Sequence, residues 1–261
     1  MTIPIAIATY RKSLDIAKRR RRTFRHVLLS IRWNFALLKK RKRALPHGEN
    51  FSDALSKISV SVINLKHRKD RYEAFSREMA SLGITDWTRI EAVNGKARFP
   101  ETDGFFAGSA GCTLSHIAAL EEVDWSSCQG AMICEDDVEF LVPRADVEAA
   151  VAAFLESPAI DVLALSCRAR GGSAAINNRL RLVVGVVGRG CYIVKPHMVR
   201  PLQEAFARGL PKLLAGDRRG KGDLMWQPLQ SRRHFFATPR LPVAQQSTGF
   251  SDIEGRDLGA R

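Results

Sequence analysis

The chain has 261 residues, 45% of them hydrophobic, enough for one α/β domain of ordinary size plus an appendage, and this excludes wholesale disorder. Its net charge of +14 invites a nucleic-acid reading, but residues 1–50 hold 14 of the 41 Lys and Arg against only two acidic residues, so the remainder is nearly neutral. The five cysteines are odd in number and form no C-x-x-C pair, which argues against a disulfide framework or a zinc ribbon and fits reduced thiols.

In chain order, the basic arm comes first. Within residues 23–40, Phe24, Val27, Leu28, Ile31, Phe35 and Leu38 recur at spacings of three and four, the period of one helical face. Arg25, Arg32 and Lys39 fall on another side, and basic clusters bracket the segment. No uncharged stretch approaches the roughly 20 residues needed to span a bilayer. The expectation is a basic amphipathic helical arm over 1–50 whose residues 11–43 lie on an anionic membrane surface, with Trp33 and the phenylalanines in the headgroup layer. That puts the protein in the cytoplasm, peripheral on the inner face of the cell membrane. A transit peptide and an RNA- or partner-binding helix compete with it, while a signal peptide fits poorly because charges interrupt the apolar run.

Residues 51–261 read as one α/β domain. Residues 58–65 are β-rich, 71–82 have a helical pattern stopped by Gly83, and 87–93 form a second strand closed by Asn94-Gly95. A helix is expected over 108–123 with Leu114, Ile117, Ala118 and Leu120 on its buried side. Residues 131–134 form a short apolar strand running into Glu135-Asp136-Asp137. A helix over 147–155, strands over 161–165, 180–187 and 191–194, and a helix over 196–206 follow. This alternation implies a mostly parallel sheet covered on both faces, with ligands at the carboxyl ends of its strands.

Three adjacent carboxylates after a buried strand repel one another. Side chains at i and i+2 of an extended segment point the same way, roughly 6.6 Å apart along the backbone. Glu135 and Asp137 can therefore reach one Mg²⁺ or Mn²⁺ ion together, and hard cations of this kind share carboxylates with substrate phosphates. An acidic turn that caps a helix is the structural alternative. Asn64, Lys66, Arg68 and Arg71 place phosphate-seeking donors at another strand end. The segment from Gly111 to His116 reads as the opening of a helix whose glycines admit a ligand to the backbone.

The blocks INLKHRKDRYEAF, EAVNG, GSAGCTLSHIAAL, MICEDDVEF and GRGCYIV, in that order, resemble glycosyltransferase family 25, with a weaker echo in LPVAQQSTGFSDI. That family includes lipopolysaccharide outer-core galactosyltransferases and related collagen galactosyltransferase domains. The resemblance implies a single GT-A (Rossmann-like) domain and an inverting transfer of a hexose from UDP-galactose or a near relative to a glycan or glycolipid acceptor. It also implies a metal on Glu135, Asp136 and Asp137. Asn64, Arg68, Arg71, Asn94, Ser115 and His116 become donor-binding residues. Cys191 before Tyr192 departs from the family's usual glycine and bears on the identity of the donor.

An inverting transfer needs a base for the acceptor hydroxyl. Asp223, in GDLMW, is the candidate, with a helix N-cap as the alternative. A structural role competes for His116, as does an ordinary turn for Asn94-Gly95. Rival functions are an inactive transferase-like body serving as a membrane- or RNA-binding module, and another metal-dependent nucleotide-sugar enzyme such as a hydrolase or a nucleotidyltransferase. The latter usually has a glycine-rich loop after its first strand, and NLKHRKDR has no glycine.

Overall fold

The computed structural model describes residues 53–169, 173–232 and 234–259. The basic arm, with the amphipathic helix and membrane contact expected of it, lies outside the described residues. Among the described residues no helix is long and apolar enough to cross a membrane.

The chain begins with β1 (Ile58–Asn64), α1 (Lys69–Ser81), β2 (Thr88–Glu91), α2 (Gly95–Arg98), α3 (Gly104–Glu121), β3 (Gly130–Glu135), β4 (Val138–Phe140) and α4 (Arg144–Leu155). It continues with β5 (Val162–Ala169), β6 (Ser173–Ala175), β7 (Leu180–Val183), β8 (Val186–Val194), α5 (Val199–Ala207), α6 (Leu210–Leu214), α7 (Gly222–Met225) and α8 (Gln227–Arg232). Short strands β9 (Phe236–Pro239), β10 (Ala244–Gln246), β11 (Gly249–Ser251) and β12 (Arg256–Leu258) close it.

Eight strands form the central sheet in the order β2-β1-β3-β8-β5-β9-β7-β6. The pairings make six of them run one way, with β8 and β7 reversed. The sheet is therefore mostly parallel, as expected, but mixed rather than uniform. From β1 the chain crosses to β2 on one side and later to β3 on the other. This reversal of strand order makes a crevice beyond the carboxyl ends of β1 and β3, the usual ligand position in open α/β sheets. The reversed β8 contributes its first residues to the same end.

The alternation of side chains along each strand divides the core. Met132 and Cys134 of β3 and Cys191 and Ile193 of β8 pack with Phe75, Met79 and Phe154 on one face. Ala131, Ile133, Tyr192 and Val194 pack with Leu120, Leu202, Phe206 and Trp226 on the other. Helices on both sides thus remove each sheet face from water, the main source of stabilisation in such layers.

Two expectations are corrected. The helix expected over 108–123 starts at Gly104, where Asp103 accepts from the Phe105 amide at 3.1 Å as an N-cap. Of its expected buried side, only Leu120 is fully buried; Leu114, Ile117 and Ala118 are half-buried. Thr113, Ser115 and His116 are inside instead. Small polar residues are tolerated there because Thr113 and Ser115 donate to carbonyls one turn back, each at 2.8 Å. The strand expected over 180–187 is two strands. Gly185, at φ 71°, turns the chain between them, so β7 joins β9 while β8 enters the middle of the sheet.

Candidate functional site

A cavity of about 420 Å³ opens at this crevice, with Glu135, Asp136, Asp137, Arg71, Arg189 and Asp223 among its walls. β3 delivers Glu135, and the turn into β4 delivers the two aspartates. β10 pairs antiparallel with β4, with Gln246 opposite Val138, which carries the Gln246 side chain over the triplet. Gln246 Nε2 lies 3.3 Å from Glu135 Oε2 and 3.4 and 3.5 Å from the two Asp137 oxygens. The two carboxylates therefore converge on one point, although Asp136 and Asp137 lie in a turn and not in the extended segment from which the i and i+2 expectation was drawn.

Asp136 points elsewhere. Its Oδ2 accepts from Asn64 Nδ2 at 2.6 Å and its Oδ1 from Arg71 at 2.9 Å. Both oxygens are occupied by protein, so Asp136 anchors the triplet to the end of β1. Asn64 is equally committed: it also donates to the Arg68 carbonyl and accepts from Arg89. Of the expected donor-binding residues, Asn64 is thus buried beneath the site rather than free within it.

The glycine-bearing motif has a different origin from the one expected. Gly111 lies in the middle of α3, not at its opening. A Cβ on it would lie 2.5 Å from the Val93 carbonyl oxygen, and one on Gly95 would lie 1.9 Å from the Ala107 carbonyl oxygen. The two glycines let the loop at 93–95 press against α3; they are spaced for backbone packing, not for ligand approach. Ser115 reinforces this, accepting from the Val93 amide at 2.8 Å. Asn94 caps α2 by accepting from the Ala97 amide at 3.2 Å while still lining the cavity.

His116 is fully buried, stacked on Tyr192 and against Phe206. Burial, then the charge of Arg189, pushes its imidazole down to about 4, so it is neutral at pH 7. The neighbours assign its tautomer: Nε2–H donates to Glu135 at 3.1 Å, and Nδ1 accepts from the Tyr192 hydroxyl at 3.3 Å. Burial works to raise Glu135, but the hydrogen bond from His116 and the charge of Arg189 outweigh it and hold Glu135 below the ordinary carboxylate range. Asp137 goes the other way. Burial first, then the charge of Glu135, pushes it up to about 7. The pair resists full ionisation unless something cationic joins it.

Arg68 and Arg71 reach across to the C-terminal hairpin of β11 and β12. Arg68 pairs with Asp252 and, at 2.9 Å, with Asp70; Arg71 donates to the Phe250 carbonyl at 2.5 Å. Asp223 sits in the first turn of α7, whose N-cap is Lys221, so the N-cap alternative does not apply. Its Oδ2 accepts from the Gly188 amide at 3.2 Å, and its Oδ1 is buried without a partner among the described residues. Arg189, buried over the Phe206 ring with an unpartnered NH1, and Gln246 were not marked by the sequence. Both lie inside blocks that carry the family resemblance, GRGCYIV and LPVAQQSTGFSDI, but nothing within either block singles out the arginine or the glutamine.

No protein-family model matches the chain. A protein named as a glycosyltransferase in Acanthamoeba polyphaga mimivirus is 31% identical over 99 residues, covering 33% of this chain and 30% of its own length. Procollagen galactosyltransferase 1-A of Xenopus laevis is 31% identical over 110 residues, covering 35% of this chain and 18% of its own. The aligned stretch thus spans less than a third of either relative. Among solved structures, a protein from STIV aligns over 77% of this chain and 93% of its own, with 13% identity and a TM-score of 0.44. Mannose-1-phosphate geranyltransferase from Thermus thermophilus aligns over 76% of each chain, with 12% identity and a TM-score of 0.40. At these scores neither structural likeness bears on the reading below.

Proposed function

We propose that the protein is a metal-dependent glycosyltransferase of the family 25 kind, in a GT-A-like domain, moving a hexose from a UDP-sugar to a hydroxyl of a cell-surface glycan or glycolipid with inversion. The observation that carries this is the convergence of Glu135 and Asp137 on one point at the crevice between β1 and β3. The two partial relatives, each named for glycosyl transfer, support the reaction class, and the procollagen relative supports galactose as the sugar.

The donor set fits Mn²⁺ or Mg²⁺, being oxygen-only, and Asp137, pushed up to about 7 by burial and then by the charge of Glu135, is a carboxylate that a cation would stabilise. Glu135 and Asp137 would hold the ion, and bound there it would neutralise charge gained by the departing diphosphate. Gln246 keeps the two carboxylates together, and Arg71 with Asn64 fixes the backbone between them through Asp136. Arg71 lines the cavity and would face the diphosphate, whereas Arg68 is held by Asp70 and Asp252 outside that lining. Asp223 is assigned the proton of the acceptor hydroxyl, with Gly188 orienting its carboxylate. The arm, from its charge, is assigned to the anionic inner face of a cytoplasmic membrane, where a glycolipid acceptor would be met. The rival, an inactive body carried by that arm, leaves the converging, half-buried carboxylates without a purpose for their cost.

The test is product analysis of the full-length protein with Mn²⁺ and a panel of UDP-, GDP- and CMP-sugars, with and without core oligosaccharide extracts. UDP-hexose should be consumed, and EDTA should stop it. No turnover of any sugar nucleotide would overturn the proposal.

A further inference from the structure

Cys112 and His116 stand four residues apart on α3 and so share one face of it. Glu135 closes a triangle with them. Its Oε1 lies 3.1 Å from His116 Nε2 and 3.6 Å from Cys112 Sγ, and the three ligand atoms all lie within 4.8 Å of one another. Around a tetrahedral zinc ion, bonds of about 2.0 Å to nitrogen and oxygen and about 2.3 Å to sulfur give edges of about 3.3 Å (N to O) and about 3.5 Å (S to O). The two measured separations agree with those edges.

We propose that Cys112, His116 and Glu135 form a site for a thiophilic divalent cation, zinc in kind, adjoining the oxygen-only pair of Glu135 and Asp137. Sulfur and imidazole select zinc, cadmium or cobalt over magnesium and manganese. A thiolate and a carboxylate balance the charge of the ion, and the thiol proton of Cys112 passes to solvent as the metal binds. The groups behind the ligands suit the same purpose. Tyr192 stands 3.3 Å behind His116 Nδ1, where its oxygen can accept once Nε2 turns to the metal. Arg189 donates to Cys112 Sγ at 3.5 Å and favours the thiolate, against burial and the charge of Glu135, which push the thiol up in the metal-free chain. Cys112 and Glu135 both line the cavity, which leaves the fourth position open to a water or a ligand oxygen. A cation here draws on Glu135 and so competes with a hard ion shared between Glu135 and Asp137. The site stands on its own geometry, whether or not the transferase reading holds.

The full-length protein, stripped of metal by chelation, is titrated with Co²⁺. One equivalent should bring up the intense near-ultraviolet absorption of thiolate-to-cobalt charge transfer, and Zn²⁺ should bleach it. Cys112→Ser should lose that absorption while keeping the circular dichroism of the parent. In the parent itself, Zn²⁺ at ten times its dissociation constant should slow iodoacetamide labelling of Cys112 roughly tenfold, read by peptide mass mapping, whereas Mg²⁺ should not. A parent without the charge-transfer band, or a band that Cys112→Ser retains, overturns the site. Should that variant fail to fold, equal labelling of Cys112 with and without zinc overturns it as well.

Discussion

The side-chain amide of Asn64 donates to the Asp136 carboxylate across 2.6 Å, tying the last residue of β1 to the middle of the acidic triplet. Both groups are buried, so the bond orients the triplet as well as holding it. Asn64→Leu should cost about 1–3 kcal/mol, the range for leaving a buried acceptor short of its donor. It should also weaken Mn²⁺ binding, because Glu135 and Asp137 take their places from the residue between them. Chemical denaturation and metal titration of the same variant check the two effects.

Removing charge from the converging pair should be more selective. Asp137→Asn or Glu135→Gln should lower sugar transfer by at least ~100-fold, the scale of losing electrostatic stabilisation of a developing charge. Mn²⁺ with UDP should raise the melting temperature of the parent and not of these variants. Transfer within a few-fold of the parent in either folded variant would contradict the metal assignment.

Without metal, pH should separate Asp137 from His116. An unfolded Asp ionises near 3.8, whereas burial and then Glu135 raise folded Asp137 to about 7. The folded chain therefore keeps a proton that the unfolded one has lost, and this contribution to stability fades as pH rises toward and through 7. His116, pushed down to about 4 from 6.5 by burial and then by Arg189, contributes stability that is present above 6.5 and lost as pH falls through 4. Asp137→Asn removes only the first effect. Its melting temperature should exceed that of the metal-free parent at pH 8 and converge on it near pH 4. Calorimetry across that range is the measurement.

Gly111 and Gly95 are expected to be intolerant for steric reasons alone. A methyl on Gly111 would meet the Val93 oxygen at 2.5 Å and the Gly95 nitrogen at 2.6 Å, all backbone that cannot turn aside. Gly111→Ala should destabilise by about 1–3 kcal/mol or more, as overpacking does. Gly259→Ala, with no atom near its Cβ position, is the neutral control.

The arm makes a separable claim. Deleting residues 1–50 removes about +12 of the charge and should leave a folded body that still transfers sugar to a soluble acceptor. Each Lys or Arg near an anionic surface contributes about 1 kcal/mol, screened by salt. The full-length protein should sediment with phosphatidylserine vesicles at low salt, and the truncated one should not. Equal sedimentation of both would end the membrane role, and a preference for RNA at physiological salt would replace it.

Much of the scaffold was legible because burial writes a period into the sequence. The strands over 58–65 and 131–134 and the helix over 147–155 appear within a few residues of their expected places. Strand direction has no such signature. Nothing local marks β8 as reversed, and only Gly185, among valines, separates it from β7. On α3, residue size misled: Leu114 and Ile117 looked like the inner face, yet the close approach of Gly95 favours the side bearing Gly111 and Ser115. At the site, the carboxylates Glu135 and Asp137 were visible as an acidic triplet at the end of an apolar strand, though the turn that brings them together was not. Gln246 was not, because its role arises from pairing between β4 and β10, more than a hundred residues apart in sequence.

That separation has a kinetic meaning. The contact of Glu135 with Gln246 closes a span of 111 residues, and that of Arg68 with Asp252 a span of 184. Long loops lose more entropy on closure, and such contacts form after local ones. During refolding from denaturant, backbone ellipticity should therefore return before competence to bind Mn²⁺. The cavity is thus expected to be completed late in assembly.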